Sequence, residues 1–544
     1  MNRTLKIALA QQDFLVGDLP GNRQRILYLA NEARDQMQAD IVVFPELCLT
    51  GYPPEDLLLR GGFIRDCEKE VNTILAELQG ITAVIGCPVE HKGRLFNSAV
   101  AFRDGVLFGR YDKQNLPNYS VFDEKRYFSP GRKAFVIDTP SGRLGVTICE
   151  DIWVDGPVEQ AVSSGAQIIL NLNASPYHMD KVDERIETVS RQAQKHSVPV
   201  VYVNLVGGQD ELVFDGGSFV IDRYGEKAMQ APVFTESLTA IEFRSDNDSM
   251  VPCTGRVTPE LDRLESIYTA IVTGVRDYVQ KNGFKGAVIG LSGGIDSALT
   301  LAIASDALGA GNVEAVLMPS RYTHDMSIED AVSQADALGV HHKIIPIEPM
   351  FQSFLDALED SFSGMPVDTT EENIQARCRG VLLMAISNKQ DRIVLTTGNK
   401  SEMAVGYATL YGDMAGGYAV IKDVPKMLVY ELANWRNEQS QVIPQRVIDR
   451  PPSAELAPDQ KDEDSLPPYE ILDAILECYV EQDLGLDEIA DQGFDRETVQ
   501  RVIRMVDLNE YKRKQAAPGV RITRRAFGRD RRYPITSGYR HDPE

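Results

Sequence analysis

Val288-Ile289-Gly290-Leu291-Ser292-Gly293-Gly294-Ile295-Asp296-Ser297-Ala298 runs from an apolar strand through a glycine turn into the start of a helix. Adjacent glycines let backbone N–H groups close around an anion, and the helix N-terminus behind them adds its dipole. A phosphate or pyrophosphate is therefore the expected occupant. Ser292 and Ser297 add hydroxyl donors, and Asp296 is placed to hold Mg2+, a hard cation that takes oxygen ligands. No Gly-x-x-x-x-Gly-Lys-Ser/Thr occurs, which argues against a loop that cleaves a β–γ phosphate bond. Strand, turn and helix in this order are the unit of a parallel α/β sheet, whose ligands bind at the carboxyl ends of strands.

The surrounding pattern agrees. Gly286–Gly290, Val313–Met318, Lys343–Pro346 and Arg392–Thr396 read as strands with helical segments between, and a helical pattern begins near Pro259. We expect a doubly wound parallel-sheet domain over residues 263–544. The stretch from Arg450 to Asp464 is too rich in Pro and acid to pack well and reads as a mobile loop or lid. Residues 246–262 read as a linker, being polar and broken by Pro252.

Residues 1–245 alternate short apolar strands (Leu5–Ala10, Ile41–Phe44, Thr82–Gly86, Asn97–Phe102, Leu144–Ile148, Ile168–Asn173 and Val198–Asn204) with helical stretches, a layered α/β pattern. Two domains suit a chain of 544 residues. Hydrophobic content of 43% and charged content of 25% are those of a globular protein. No apolar run is long enough to span a bilayer, and no signal or transit segment opens the chain, so a cytoplasmic location and no membrane partner are expected. Seven cysteines without a Cys-x-x-Cys pair suggest reduced core residues rather than disulfides or zinc. A formal charge of -24 would repel a polyanion, which removes nucleic acid as a partner. One region opposes that trend: Lys512, Arg513, Lys514, Arg521, Arg524, Arg525, Arg529, Arg531, Arg532 and Arg540 could face a phosphate-bearing substrate or an acidic neighbouring subunit.

Three segments each put a reactive group at the end of an apolar strand: Phe44-Pro45-Glu46, Tyr111-Asp112-Lys113 and Thr147-Ile148-Cys149-Glu150-Asp151. Singly, a cysteine after a strand is most often a buried small hydrophobe. Together they can do chemistry, because a thiol nucleophile needs a base and a nearby cation, which Glu46 and Lys113 would supply to Cys149.

Glu46, Lys113 and Cys149, in that order and context, resemble the Glu-Lys-Cys triad of the nitrilase (carbon–nitrogen hydrolase) superfamily. The resemblance implies an α-β-β-α sandwich over residues 1–245. It also implies attack by Cys149 on the side-chain amide of glutamine, with Glu46 as general base and Lys113 stabilising the oxyanion. Tyr119, Ser175 and Lys181 would hold the glutamine. In the second half, Gly290, Leu291, Ser292, Gly293, Gly294, Ile295, Asp296 and Ser297 resemble the pyrophosphate loop of adenylating enzymes of adenine nucleotide α-hydrolase-like fold. Thr396-Thr397-Gly398-Asn399-Lys400-Ser401-Glu402 and Val405-Gly406-Tyr407, followed by Asp413, resemble the NAD⁺ synthetase family. That likeness implies that Thr397 contacts ATP, that Glu402 joins Asp296 as a metal or substrate carboxylate, and that Asn373, Tyr407, Asp413 and Lys512 line a deamido-NAD⁺ site. Arg377, Arg379 and Lys426 would meet phosphates. Where the family often carries two serines after Tyr322, this chain has Thr323-His324, which puts one local substrate contact in question.

The two halves make chemical sense together. A carboxylate is a poor electrophile and must become a mixed anhydride with AMP before an amine attacks. Ammonia freed from glutamine within the protein, reaching that anhydride by a protected passage, escapes protonation by solvent. The expected substrates are glutamine, ATP and deamido-NAD⁺, with Mg2+ as cofactor and a homo-oligomer as the assembly. Another pyrophosphate-loop amidotransferase and a non-catalytic nucleotide sensor are the alternatives.

Overall fold

The structure is a computed structural model that describes residues 4–246, 249–458 and 460–539. Asn247 and Asp248 of the expected linker, Asp459 of the expected loop and Arg540 of the basic stretch lie outside the described residues. The chain divides into two compact units, Met1–Leu261 and Asp262–Glu544.

In the first unit, Thr4–Gln11 is the organising strand. Its alternation sends Leu5, Ile7 and Leu9 into one apolar cluster and Ala8 and Ala10 into another, as the two-residue period of a strand requires. The first cluster lies between two sheets. It is completed from the other side by Leu144, Val146 and Ile148 and by Ile168, Leu170 and Leu172. The seven-stranded sheet runs Ser249–Pro252, Ser237–Asp246, Thr4–Gln11, Ile41–Val43, Thr82–His91, Arg94–Arg103, Val106–Asp112. The six-stranded sheet runs Lys227–Gln230, Phe219–Ile221, Val200–Asn204, Ile168–Asn173, Gly142–Ile148, Val136–Thr139. Helices Leu19–Asp35 and Gly61–Glu77 carry residues of the outer cluster of the first sheet. Pro157–Ser163 and Lys181–His196 carry those of the second. The result is the expected α-β-β-α sandwich. Ser249–Pro252, read as linker, is instead an edge strand paired antiparallel with Ser237–Asp246, because backbone pairing holds a polar segment that carries only Met250 into the core.

The second unit has a five-stranded parallel sheet in the order His341–Ile344, Val313–Leu317, Ala287–Gly290, Ile393–Thr396, Tyr418–Ala419. The chain order reverses between Ala287–Gly290 and Ile393–Thr396, and that switch point is where α/β sheets bind ligands. The strand expected at Lys343–Pro346 begins earlier, at His341, since pairing with Glu314 to Leu317 rather than side-chain apolarity sets its register. Among the described residues no helix is long and apolar enough to cross a membrane, and the seven cysteines are free, six of them buried.

Candidate active sites

In the first unit, Glu46 lies three residues beyond strand Ile41–Val43 and Cys149 immediately follows strand Gly142–Ile148. Gly86 lets the Glu46 segment pass close to its neighbouring strand, since a Cβ there would sit 2.3 Å from Leu47 N. Lys113 Nζ donates to Glu46 Oε1 at 2.7 Å and to Glu124 Oε1 at 2.9 Å, with all three side chains buried. Asn97 Nδ2 also donates to Glu46 Oε1 (2.7 Å), and Ala174 N donates to Glu46 Oε2 (3.1 Å). Glu46 is thus fixed in position before any substrate arrives. Burial opposes the charge on Lys113, but Glu124 and Glu46 overcome it and hold the ammonium well above its ordinary pKa. Cys149 is pushed well above the ordinary thiol range by burial and then by Glu46, with Lys113 pulling the other way. Its backbone is left-handed, φ +42, a conformation that costs about 1–3 kcal/mol outside glycine and persists only where the surroundings impose it.

Asp151, two residues on, braces this turn. It accepts from Tyr111 OH (2.8 Å), Asn115 N (2.8 Å) and Asn115 Nδ2 (2.9 Å), and burial lifts it to about 6 against the pull of those donors. Tyr119 is exposed, and its hydroxyl donates to Glu150 at 2.9 Å, next to Cys149 in the chain. Ser175 is buried: its N–H donates to Asn204 Oδ1 (2.9 Å), and Arg185 Nη2 donates to its hydroxyl (3.3 Å). Lys181 lies 3.8 Å over the ring of Trp153, and burial followed by the charge of Arg185 lowers its pKa. Tyr119, Lys181 and Cys149 belong to one electrostatic neighbourhood, each of the first two feeling the thiol's charge.

Two charged residues of this region escaped the sequence reading. Glu124 stands in Phe122-Asp123-Glu124-Lys125-Arg126, which reads as a solvated run, yet it is buried against Lys113 and Tyr52 OH (3.1 Å) and lifted to about 7 by burial despite Lys113. Arg185 looks like an ordinary helix surface residue but is fully buried, with both terminal nitrogens on Asp215 (3.0 and 3.1 Å). No local signal marks either.

In the second unit, Gly290, Leu291, Ser292, Gly294, Ile295, Asp296 and Ser297 line a cavity at the switch point, with Thr397, Glu402, Tyr407 and Asp413 on its other walls. Gly293 supports the turn from behind. Its φ is +81 and a Cβ would lie 2.3 Å from Ser327 O, so only glycine fits. Ser292 Oγ accepts from Gly294 N (3.1 Å) and lies 3.0 Å from Ser297 Oγ. Asn399 caps the short helix Lys400–Val405 by accepting from Glu402 N (2.9 Å), and its amide donates to Asp296 Oδ1 (2.8 Å). Lys426, expected to meet phosphates, lines the cavity and bridges the two carboxylates, 2.5 Å from Asp296 Oδ2 and 3.4 Å from Glu402 Oε1. Burial and the charge of Asp296 raise Glu402 to about 8, and burial raises Asp413 to about 6.

Other expected residues are less direct. Asn373 Oδ1 accepts from Thr409 Oγ1 (2.8 Å), behind the wall. Lys512 is not a free cation: its ammonium donates to Gly406 O (2.7 Å) and Ala408 O (2.9 Å). Arg379 lines the cavity and donates to Met318 O, whereas Arg377 is exposed. Thr323 lines the cavity too, and its hydroxyl accepts from Ser320 N (3.0 Å).

Two regional expectations change in part. The stretch from Arg450 to Asp464, expected to pack poorly as a mobile loop or lid, lies against the cavity. Arg450 donates to Gly293 O (2.7 Å) and Ser327 Oγ (2.8 Å), Ser327 Oγ donates to Glu455 Oε1 (2.6 Å), and Asp462 is buried beneath Tyr469 OH. The basic stretch turns inward only in part, since Lys514, Arg524, Arg529 and Arg532 stay exposed. Arg513 and Arg531 converge on Glu510 (2.8 and 3.1 Å) and Arg521 pairs with Asp530 (2.6 Å), all buried, because the acids interspersed through residues 507–530 meet them within the fold.

Comparison with known proteins follows the same division. The carbon–nitrogen hydrolase family matches residues 6–246 and the NAD synthase family residues 267–516. A glutamine-dependent NAD(+) synthetase of Acinetobacter baylyi is 52% identical over 543 residues, covering 99% of this chain and 100% of its own. One from Thermotoga maritima is 46% identical, with 99% of each chain covered. The solved structure of the glutamine-dependent NAD+ synthetase of Acinetobacter baumannii, in complex with ADP, is 48% identical, with TM-score 0.81 and 99% of this chain and 100% of that one covered.

Proposed function

The chain belongs to the glutamine-dependent NAD(+) synthetase family, a family of carbon–nitrogen ligases, and from that premise we propose how its residues divide the reaction. In the first unit Cys149 attacks the side-chain amide carbon of glutamine. Because burial and Glu46 disfavour a free thiolate, Glu46 takes the thiol proton as the C–S bond forms rather than beforehand. Lys113, held cationic by two carboxylates, faces the developing oxyanion. Glu46 passes its proton to the leaving nitrogen, ammonia departs, and water, deprotonated by the same carboxylate, releases glutamate from the thioester. Tyr119 with Glu150, Ser175 and Lys181 hold the amino-acid end of glutamine.

In the second unit the carboxylate of deamido-NAD⁺ attacks the α-phosphorus of ATP, pyrophosphate leaves, and ammonia displaces AMP from the mixed anhydride to give the amide. The turn from Gly290 to Ser297 cradles the pyrophosphate through its backbone N–H groups and the hydroxyls of Ser292 and Ser297. Asp296 and Glu402 would hold Mg2+. The two carboxylates already converge on one cation, Lys426, and among the described residues no larger cluster of metal-ligating side chains occurs. A two-carboxylate set suits Mg2+, which leaves its other positions to phosphates and water. Bound there, the ion would neutralise phosphate charge in the transition state.

One observation supports the reading above the others: each unit carries a buried lysine shared by two carboxylates, Lys113 beside a strained cysteine and Lys426 beside a phosphate-binding turn. Cys149→Ala is expected to abolish NAD⁺ formation from glutamine and to retain it from ammonium chloride at high pH, measured by coupled NAD⁺ reduction. Loss of both activities in a folded variant would refute the division.

A further inference from the structure

The first turn of the helix Lys400–Val405 shares out its side chains. Asn399 holds Asp296, and Ser401 Oγ accepts from Lys426 N (2.9 Å). Glu402 meets Lys426 Nζ. Lys400, like Ser401, does not line the cavity it helps to build. It is 3% exposed, and its ammonium donates to Thr523 Oγ1 (2.7 Å), Glu481 Oε1 (2.8 Å) and Arg525 O (3.2 Å), with Asp423 Oδ1 at 3.0 Å. Asp423 is equally buried and lies three residues before Lys426. Its Oδ2 accepts from Ile522 N and Thr523 N, both at 2.8 Å, and from Thr523 Oγ1. The Thr523 hydroxyl therefore accepts from Lys400 while donating to Asp423. A backbone bond from Lys400 N to Val424 O (2.9 Å) runs alongside. The same C-terminal segment reaches the cavity: Ala516 and Ala517 line it, Lys422 Nζ donates to Ala517 O (2.8 Å), and Ala419 N donates to Pro518 O (2.8 Å).

We propose that Lys400 is a positioning residue of the synthetase site, and that through Thr523 it makes the C-terminal segment a structural part of that site. The two sides of the carboxylate–lysine cluster arrive on separate stretches of chain, Asn399–Glu402 on one and Asp423–Lys426 on the other. A buried ammonium shared by Asp423, Glu481 and Thr523 sets their spacing. Lys400 does not line the cavity, so it acts on substrate only through Asn399, Glu402 and Lys426. This explains why a cation sits beside the metal-site carboxylates yet faces a tail about 120 residues downstream, where helix propensity alone would be met by any straight-chain residue.

The inference rests on reading Asp296 and Glu402 as the metal and nucleotide carboxylates, and the test separates the two. Ammonium-driven NAD⁺ synthesis and calorimetric ATP affinity, with and without Mg2+, are measured for full-length Lys400→Met, Thr523→Val, Thr523→Ser and Glu402→Gln, with thermal unfolding alongside. Residues that orient metal ligands from behind typically change affinity or activity about 10–100-fold. Lys400→Met is expected to lose kcat and the Mg2+-dependent part of ATP affinity by that factor. Thr523→Val, which keeps the shape and drops the hydroxyl, should lose a smaller part of both, and Thr523→Ser should restore wild-type values. If Lys400→Met does not fold, the valine–serine comparison decides. Wild-type kcat and Mg2+-dependent affinity in folded Lys400→Met or Thr523→Val, with Glu402→Gln inactive, overturns the positioning role. So does a kcat loss that only follows the unfolded fraction. An active Glu402→Gln overturns the underlying site reading instead.

Discussion

Glu124→Gln should make the first unit more stable at pH 8 while impairing glutamine hydrolysis. Glu46 and Glu124 share a single buried ammonium, Lys113, so one of the two negative charges is uncompensated within the fold. Burial lifts Glu124 from an ordinary 4.5 to about 7 even with Lys113 opposing the rise. The sign follows from proton linkage. The folded carboxyl keeps a proton that the unfolded chain releases near 4.5, so its contribution favours folding below that pH, shrinks as pH rises to about 7, and stays flat above. At roughly 1.4 kcal/mol per pH unit the loss is about 3 kcal/mol. Glutamine mimics the protonated acid: its carbonyl oxygen can still accept from Lys113 and Tyr52. Its amide replaces Oε2, which has no partner among the described residues. The variant should therefore gain up to about 3 kcal/mol at pH 8 and nothing near pH 4.5. Urea unfolding followed by Trp153 fluorescence in a Trp435→Phe background reports the first unit, each unit holding one of the two tryptophans. No gain at pH 8, or the same gain at both pH values, would refute the charge argument.

Two further outcomes are expected. Lys113→Met leaves Glu46 and Glu124 buried without a cation, which should cost about 3–5 kcal/mol and lower the melting temperature of the first unit, with glutamine hydrolysis undetectable. Gly293→Ala forces a left-handed alanine whose Cβ would overlap Ser327 O. ATP binding by calorimetry should weaken by about 5–150-fold, the equivalent of a backbone strain of about 1–3 kcal/mol, while glutamine hydrolysis in the first unit continues.

The chemistry that sits within a few consecutive residues was legible before any fold was known. Strand period identified the sheets because Leu5, Ile7 and Leu9 alternate with smaller or polar residues, and a glycine turn between strand and helix needs no distant partner to bind phosphate. Cys149, Glu46 and Lys113 were singled out because each follows a strand. Glu124, Arg185 and Lys400 were not, and the pairing of Lys426 with Asp296 was not foreseen. In sequence Glu124, Arg185 and Lys400 each stand among polar neighbours, the usual mark of a solvated face. Their character comes from burial beside partners far along the chain, 130 residues for Lys426 and Asp296 and 123 for Lys400 and Thr523. The basic C-terminal stretch shows the same limit, since net charge counts cations without saying which acids they meet. The chain alone determined which elements form and which atoms can react, since periodicity and turn chemistry act over a few residues. Only the tertiary structure decided which charges lose water and share a counter-ion, because desolvation and Coulomb energy depend on distance through space.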